Sequence, residues 1–384
     1  MITAEGCQQR RRRLWDGLED KPDFILMAEP QHLVYLANYA PSPYVFRTAN
    51  SQAVLILGQD GSSTLVADSM VQPFAEEAFV DEIVTPSWYD GRHSAPNRSG
   101  LLADSVSERL RKIPGVRIGV EASGVAASVV DRLREERGNL QLTTITPLLH
   151  QLKRSKDPDE LEVLRLAIRC SDAGETAGLE KIRPGMTELE ACLIVHQAAA
   201  EVAGEPVQVY GDFVAGPRTG DKGGPPSQRV IGKGELVLLD FSVVIRGYRG
   251  DVCNTFVCGA KPSDEQSRLH QACLAALSAG QAALQSGAPA RGVDQAVRRS
   301  FAAQDLETYF TSHAGHGLGL GHPDPPYFVR ESSDTLLAGD VVAIEPGLYF
   351  PGQFGMRFEH NFLVTAGGCE QLSTHRLEIA QPGW

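Results

Sequence analysis

The sequence predicts two domains, an α/β domain over residues 1–152 and an α+β domain over residues 153–384. Three observations carry this. At 384 residues, 42% of them hydrophobic, the chain exceeds one typical domain and holds enough apolar side chains for two cores. Short helical and strand patterns alternate through the first part of the chain, as an α/β layer requires. The charged, proline-containing segment Lys153–Asp159 then opens a region in which a helix pair precedes a group of strands, twice over.

In the first domain, Arg10 to Arg13 ahead of Leu14 and Trp15 read as the solvated face of an opening helix. A twin-arginine signal would need an apolar segment next, and Asp16-Gly17-Leu18-Glu19-Asp20 follows instead. Phe24–Met27 reads as a strand and Gln31–Leu36 as a short helix. Ala53–Leu57 and Ser63–Val66 pair around a turn at Gly58-Gln59-Asp60-Gly61. Helical patterns over 101–112 and 125–137 alternate with strands over 117–120 and 141–145. No chemistry is legible here: Trp88, Tyr89 and His93 fall in one polar loop and Tyr44 to Arg47 in another, both expected at the surface.

In the second domain, Leu161, Leu164 and Ile168 start a long amphipathic helix. Thr187 with Glu190, after Arg183-Pro184-Gly185-Met186, is a capping box that opens a second helix. Ser263 with Gln266 repeats the signature ahead of Leu274, Leu277 and Leu284, and a break over 287–292 precedes a further helix.

Between and after these helix pairs lie four acids and one histidine. Val237-Leu238-Leu239 leads into Asp240, and Thr255-Phe256-Val257 follows Asp251, so a hairpin carries one acid on each arm. His316 stands in H-G-L-G-L. Val341, Val342 and Ile344 precede Glu345, and Pro346-Gly347 closes that strand. Met356 and Phe358, then Phe362 and Val364, frame Glu359, and period-two alternation puts Arg357 on the face of Glu359. One such acid reads equally well as a solvated strand end, but five polar groups in apolar strand surroundings do not. Four carboxylates and an imidazole form a hard, oxygen-rich set too anionic to converge without divalent cations, and two cations are the natural count.

A net charge of -12 argues against nucleic acid as a partner. No apolar run approaches membrane-spanning length and no signal-type segment opens the chain, so a cytoplasmic protein with no membrane partner is expected. The seven scattered cysteines fit free thiols, mostly buried.

With L-D-F, G-D-V, H-G-L-G-L, I-E-P-G-L-Y and R-F-E on the page, the chain resembles the pita-bread metallopeptidases, which include prolidase, aminopeptidase P and methionine aminopeptidase, with creatinase as a metal-free relative. The likeness is strong over roughly 150–384 and looser before it, where it implies a creatinase-like N-terminal domain. It implies two divalent ions per chain, bridged by Asp251 and Glu359, with Asp240 completing one site and His316 and Glu345 the other. Manganese suits such a carboxylate-rich site, and cobalt or zinc substitute. Two cations sharing a water acidify it and polarise a substrate carbonyl, which is amide hydrolysis. Glu345 is expected to move a proton as well as to bind. The resemblance further implies a homodimer acting on Xaa-Pro bonds of dipeptides or short peptides, with an N-terminal loop reaching into a catalytic site, that of a partner subunit included.

Two departures bear on substrate. Proline-specific relatives carry a histidine near the position of Gly223, and this chain reads Asp221-Lys222-Gly223-Gly224-Pro225-Pro226. They carry another just ahead of Glu-Pro-Pro, where this chain has Pro323, with His322 one position earlier. His322 is either a substrate or proton-transfer residue or a loop histidine bonded to backbone; His313 and His360 read as support for the ligands. Arg357 grips a substrate carboxylate, orients Glu345, or is a structural ion pair with the acids. Lys222, Arg357 and Arg47 are the cations available to a carboxylate-bearing substrate of dipeptide size. Two other classes stand beside the peptidase: a metal-dependent hydrolase or lyase for a non-peptide small molecule, as in ectoine hydrolase, and a metal-free binding module, as in histone-chaperone relatives, which the intact ligand set opposes.

Overall fold

A computed structural model describes the chain apart from residues 90, 93, 96, 112–114 and 122, so that His93 and the end of the 101–112 helical pattern lie outside the described residues. The chain forms two compact units, Met1–Lys153 and Arg154–Trp384. No helix among the described residues is long and apolar enough to cross a membrane.

The first unit is built on a mixed six-stranded sheet of β1 (Phe24–Met27), β2 (Ala53–Gly58), β3 (Ser63–Ala67), β4 (Glu82–Val84), β5 (Arg117–Val120) and β6 (Gln141–Thr144), in the order β4-β3-β2-β1-β5-β6. Its helices are α1 (Ala4–Asp16), α2 (Pro30–Ala37), α3 (Gln72–Ala75), α4 (Arg98–Leu110), α5 (Ala127–Glu136) and α6 (Thr146–Leu152). Phe24, Leu26, Val54, Ile56 and Ile118 of the sheet pack against Leu102, Val106, Val129 and Leu133 of α4 and α5. The α/β class follows from this alternation. Trp88 is held by its indole N–H on Asp68 at 2.8 Å and by Arg98 over its ring, whereas Tyr44, Phe46 and Arg47 are exposed.

The basic run on α1 is not the solvated face expected of it. Arg10 is fully buried and donates from Nε to the Tyr35 carbonyl at 2.6 Å, and Arg11 donates to the carbonyls of Leu36 and Phe79 at 2.9 and 2.7 Å. Tyr35 and Leu36 lie in the last turn of α2, whose carbonyls have no intrahelical donors. The two guanidinium groups satisfy that helix end, and only Arg12 and Arg13 keep contact with solvent.

The second unit begins with α7 (Pro158–Lys181) and α8 (Glu188–Ala203), both opened by capping boxes, at Asp157/Glu160 and Thr187/Glu190. They precede the antiparallel sheet of β7 (Gln208–Ala215), β8 (Leu236–Ile245) and β9 (Tyr248–Val257), against which α7 packs. The β8–β9 turn is two residues long, and Arg246 and Gly247 both have positive φ, the requirement of a turn whose twist matches the strands. A second helix pair, α9 (Asp264–Ala282) and α10 (Ala290–Ala302), precedes β10 (Gly315–Leu318), β11 (Asp324–Phe328), β12 (Val341–Ile344), β13 (Gly347–Phe350), β14 (Phe354–Arg357), β15 (His360–Thr365) and β16 (Gly368–Gln371). Five of these pair in the order β11-β10-β12-β15-β16, and β13 with β14 forms a separate hairpin. Val342, Ile344, Phe358 and Phe362 pack with Cys273, Ala276, Val297 and Phe301 of the two helices. All seven cysteines are free.

The buried arginine pair carries a test. Arg10→Met leaves the Tyr35 carbonyl without its donor and is expected to lower the stability of the chain by about 2 kcal/mol, whereas Arg12→Met stays within about 0.5 kcal/mol of wild type. Urea denaturation of the two variants compares them directly, and equal losses would mean that the run acts as a single surface patch.

Candidate metal centre

One face of the β7-β8-β9 sheet collects the polar groups. Gly250 fixes which face: a Cβ there would lie 2.6 Å from the backbone of Ile168 on α7, so Gly250 faces the helix and Arg249 and Asp251 face away from it. Asp240 stands opposite Asp212 on β7 and Cys253 on β9, and Ser242 stands opposite Asp251. Acceptor atoms of Asp240, Asp251 and Glu359 all lie within 4.8 Å of one another.

Glu359 arrives from the other half of the unit. The strand expected to run through it is broken, because β14 ends at Arg357 and β15 starts at His360. Its amide instead donates to the Cys253 carbonyl at 3.0 Å, in a bridge that joins the break to β9. His316 enters on β10. Its Nδ1 donates to the Gly317 carbonyl at 2.9 Å, which leaves the Nε2 lone pair facing Glu345 Oε1 at 3.3 Å and Asp251 Oδ2 at 3.6 Å. All five residues singled out in the sequence therefore meet in one place.

The electrostatics of this cluster are unfavourable as they stand. Burial raises the Asp240 carboxyl, with Arg357 opposing and Asp251 and Glu345 assisting. Burial also drives Glu359 well above the usual carboxylate range, helped by Asp251, Glu345 and Asp240. Burial acts in the same sense on Asp251, but the bond from His322, the imidazoles of His316 and His322 and the Ser242 hydroxyl outweigh it and hold that carboxyl low. Glu359 Oε1 is buried and meets no donor. A lone pair aimed at two carboxylate oxygens, beside an orphaned carboxylate oxygen, is the donor set of a hard divalent cation, and the residues fit one.

His322 turns into the cluster from its loop and donates from Nε2 to Asp251 Oδ2 at 2.9 Å; that bond raises its proton affinity above the ordinary value, against burial and the charge of Arg249. His313 lies 3.5 Å from Glu345 Oε1. His360 faces away, onto the Ser373 hydroxyl. Arg357 makes ion pairs with Asp240 through Nε and with Asp212 at 3.2 Å, and donates to the Tyr349 hydroxyl at 3.2 Å. The Arg357 geometry is thus that of an ion pair with the acids.

Several participants were not singled out from sequence. Asp212 lies in a strand that reads like its neighbours, and the signal available was its place among apolar residues in Y-G-D-F-V. Asn361 accepts from the Asp251 amide at 3.2 Å and donates to the Asp251 carbonyl, and Ser242 donates to Asp251 Oδ1 at 2.9 Å, so the second aspartate is held on both sides. The position of the expected histidine is closed. Gly223 has φ of 150°, Gly224 donates to Asp212 Oδ1 at 2.8 Å, and a Cβ on Gly223 would fall 1.9 Å from Asp212 Oδ2. Beyond Arg357 opens a cavity of about 720 Å³ lined by Lys222, Arg298, His313 and Arg330 among others. Lys222 donates to the Thr311 carbonyl at 3.0 Å.

Comparison with known proteins agrees with this layout. The chain is 26% identical over 357 residues to an uncharacterized peptidase of Staphylococcus aureus, covering 91% of this chain and 94% of the relative. Among solved structures it superposes on the Xaa-Pro dipeptidase from Bacillus anthracis with a TM-score of 0.82 at 24% identity, over 98% of this chain and 99% of that one. The X-Pro aminopeptidase from Thermotoga maritima gives 0.82 at 21%, over 97% and 99%. These likenesses establish the shared fold. The creatinase/prolidase N-terminal domain profile matches residues 10–154. The metallopeptidase profile matches residues 162–366, more than half of the chain, and with the site it encloses this places the protein in metallopeptidase family M24.

Proposed function

We propose that the protein is a dinuclear metallopeptidase that cleaves Xaa-Pro bonds in dipeptides or short peptides, with Asp240, Asp251, His316, Glu345 and Glu359 as ligands, Asp251 and Glu359 shared between two ions, and manganese as the preferred metal. The observation that carries this reading is His316 Nε2 set 3.6 Å from Asp251 and 3.3 Å from Glu345, beside the orphaned oxygen of Glu359, an arrangement whose excess negative charge divalent cations would neutralise. Divalent cations there supply an acidified water and a polarised substrate carbonyl. Glu345, buried next to His316, carries a proton between the attacking water and the leaving nitrogen. His322 orients Asp251 and supplies a second proton-transfer group at the mouth of the site. Arg357 keeps Asp240 and Asp212 in position rather than gripping substrate. Lys222, with Arg298 and Arg330 in the adjoining cavity, gives a carboxylate close to the scissile bond a cationic wall to meet, which favours dipeptides. The structurally similar Xaa-Pro dipeptidase of Bacillus anthracis and X-Pro aminopeptidase of Thermotoga maritima point the same way.

A second reading has one observation in its favour. The position of the relatives' histidine is filled by Gly223 against Asp212, so a contact that proline-specific relatives make is absent by construction. This favours a metal-dependent hydrolase or lyase acting on a non-peptide small molecule.

Elemental analysis of protein reconstituted with manganese is expected to find about two ions per chain, and Asp251→Ala to retain at most one. Finding no metal in either protein would remove the metalloenzyme reading altogether. With the loaded enzyme, Glu345→Gln is expected to lower kcat by about 100-fold or more while KM moves far less. Comparing Gly-Pro with Gly-Pro amide separates the substrate classes. A large preference for the free acid supports a dipeptidase, equal kcat/KM for the two shows that no carboxylate is read, and cleavage of neither, with turnover of N-acyl amides, selects the non-peptide reading.

A further inference from the structure

Arg249 shares the catalytic face of the sheet with Asp251, two residues before it on β9, and the packing of Gly250 on α7 leaves its side chain no other direction. Its amide donates to the Gly319 carbonyl at 3.1 Å, which draws the loop from His316 to His322 alongside. The other cations near the site have oxygen partners. Arg357 holds Asp240 and Asp212, Arg298 holds Asp294, Arg330 holds Glu307, and Lys222 donates to Thr311. Arg249 pairs with no carboxylate among the described residues, and its Nε is buried without an acceptor. Its guanidinium lies instead over the ring of Tyr210, 5.5 Å from the centroid. A guanidinium set over an aromatic ring and without a carboxylate of its own is suited to a charge-assisted bond with a substrate carboxylate.

His322 and Arg249 lie beside Asp251, whereas Lys222, Arg298 and Arg330 line the cavity next to Arg357 and His313, of which Arg249 is not a lining residue. We propose that Arg249 is a specificity-determining residue that binds an acidic side chain on the acyl residue of the substrate, so that the preferred dipeptides are Glu-Pro or Asp-Pro. The inference rests on the peptidase reading, which assigns the carboxyl end of the substrate to the Lys222 cavity and leaves the acyl end for Arg249.

The test is the ratio of kcat/KM for Glu-Pro over Gln-Pro, two substrates that differ in one charge. Wild-type enzyme loaded with manganese is expected to favour Glu-Pro by about tenfold or more, and R249M to bring the ratio near one. R249K should keep part of the preference, which separates loss of the charge from damage to the fold, and R249E should favour Lys-Pro over Glu-Pro. A wild-type ratio near one, or a ratio unchanged in R249M, overturns the assignment. Cleavage of neither dipeptide while Gly-Pro is cut overturns the assignment; if Gly-Pro is left intact as well, the peptidase reading is retired instead, and calorimetry with glutarate on the loaded protein then decides for Arg249. Binding at least about tenfold weaker in R249M supports an anion site at this residue, and equal affinities remove it.

Discussion

The catalytic unit is organised around a repulsion. Asp240, Asp251 and Glu359 lie within reach of one another in a largely buried place, and the free lone pair of His316 points at two carboxylates. Left alone, such a set either takes up protons or drifts apart, because the interior cannot screen it. The structure resists drift at each member. Asp251 is bonded through its backbone to Asn361 and through its side chain to Ser242 and His322, Glu359 is tied by its amide to Cys253, and Asp240 is drawn toward Arg357. These bonds together hold the acids in place against their mutual repulsion.

That constraint also accounts for the duplicated layout. The three-stranded sheet brings Asp240 and Asp251, the five-stranded sheet brings His316, and the segments that leave its strands bring Glu345 and Glu359. Each group of strands is backed by its own helix pair, while Leu236 and Val257 of the first group join the core of the second, and the acids meet between the two groups. A break at Phe358–Glu359, between β14 and β15, lets one acid leave the five-stranded sheet and bond to the other half. In this chain, then, the geometry of the acid cluster is a property of how two halves meet more than of either one.

Much of this was legible in the sequence. The acids stood out because charge inside apolar period-two runs is costly without a purpose, and the helix starts stood out because capping boxes have a fixed spacing. The hairpin that carries Asp240 and Asp251 and five of the six strands of the first unit were readable for similar local reasons, whereas β4 gave no such pattern. What was not legible depends on partners distant in the chain. Arg10 looks like any surface arginine until the end of α2 arrives against it, and the fate of Arg357 is decided by Asp212, 145 positions away. His322 lies in a proline-rich loop whose direction follows from the fold of the whole unit, so its bond to Asp251 was one of two possibilities from sequence. Arg249 had no signal of its own, since its distinction is the lack of a carboxylate partner.

The contact between Gly223 and Asp212 makes two residues rivals for the same space. With Asp212 present, position 223 admits only hydrogen beyond its backbone, and with any side chain at 223 the aspartate would have to withdraw from Gly224 and from Arg357. Neither single replacement leads smoothly from this arrangement to one with a histidine, because the first step in either order leaves Arg357 with one acid fewer or forces two atoms together. The loop and the strand are therefore coupled through this pair, and the residue at either position limits what the other can be.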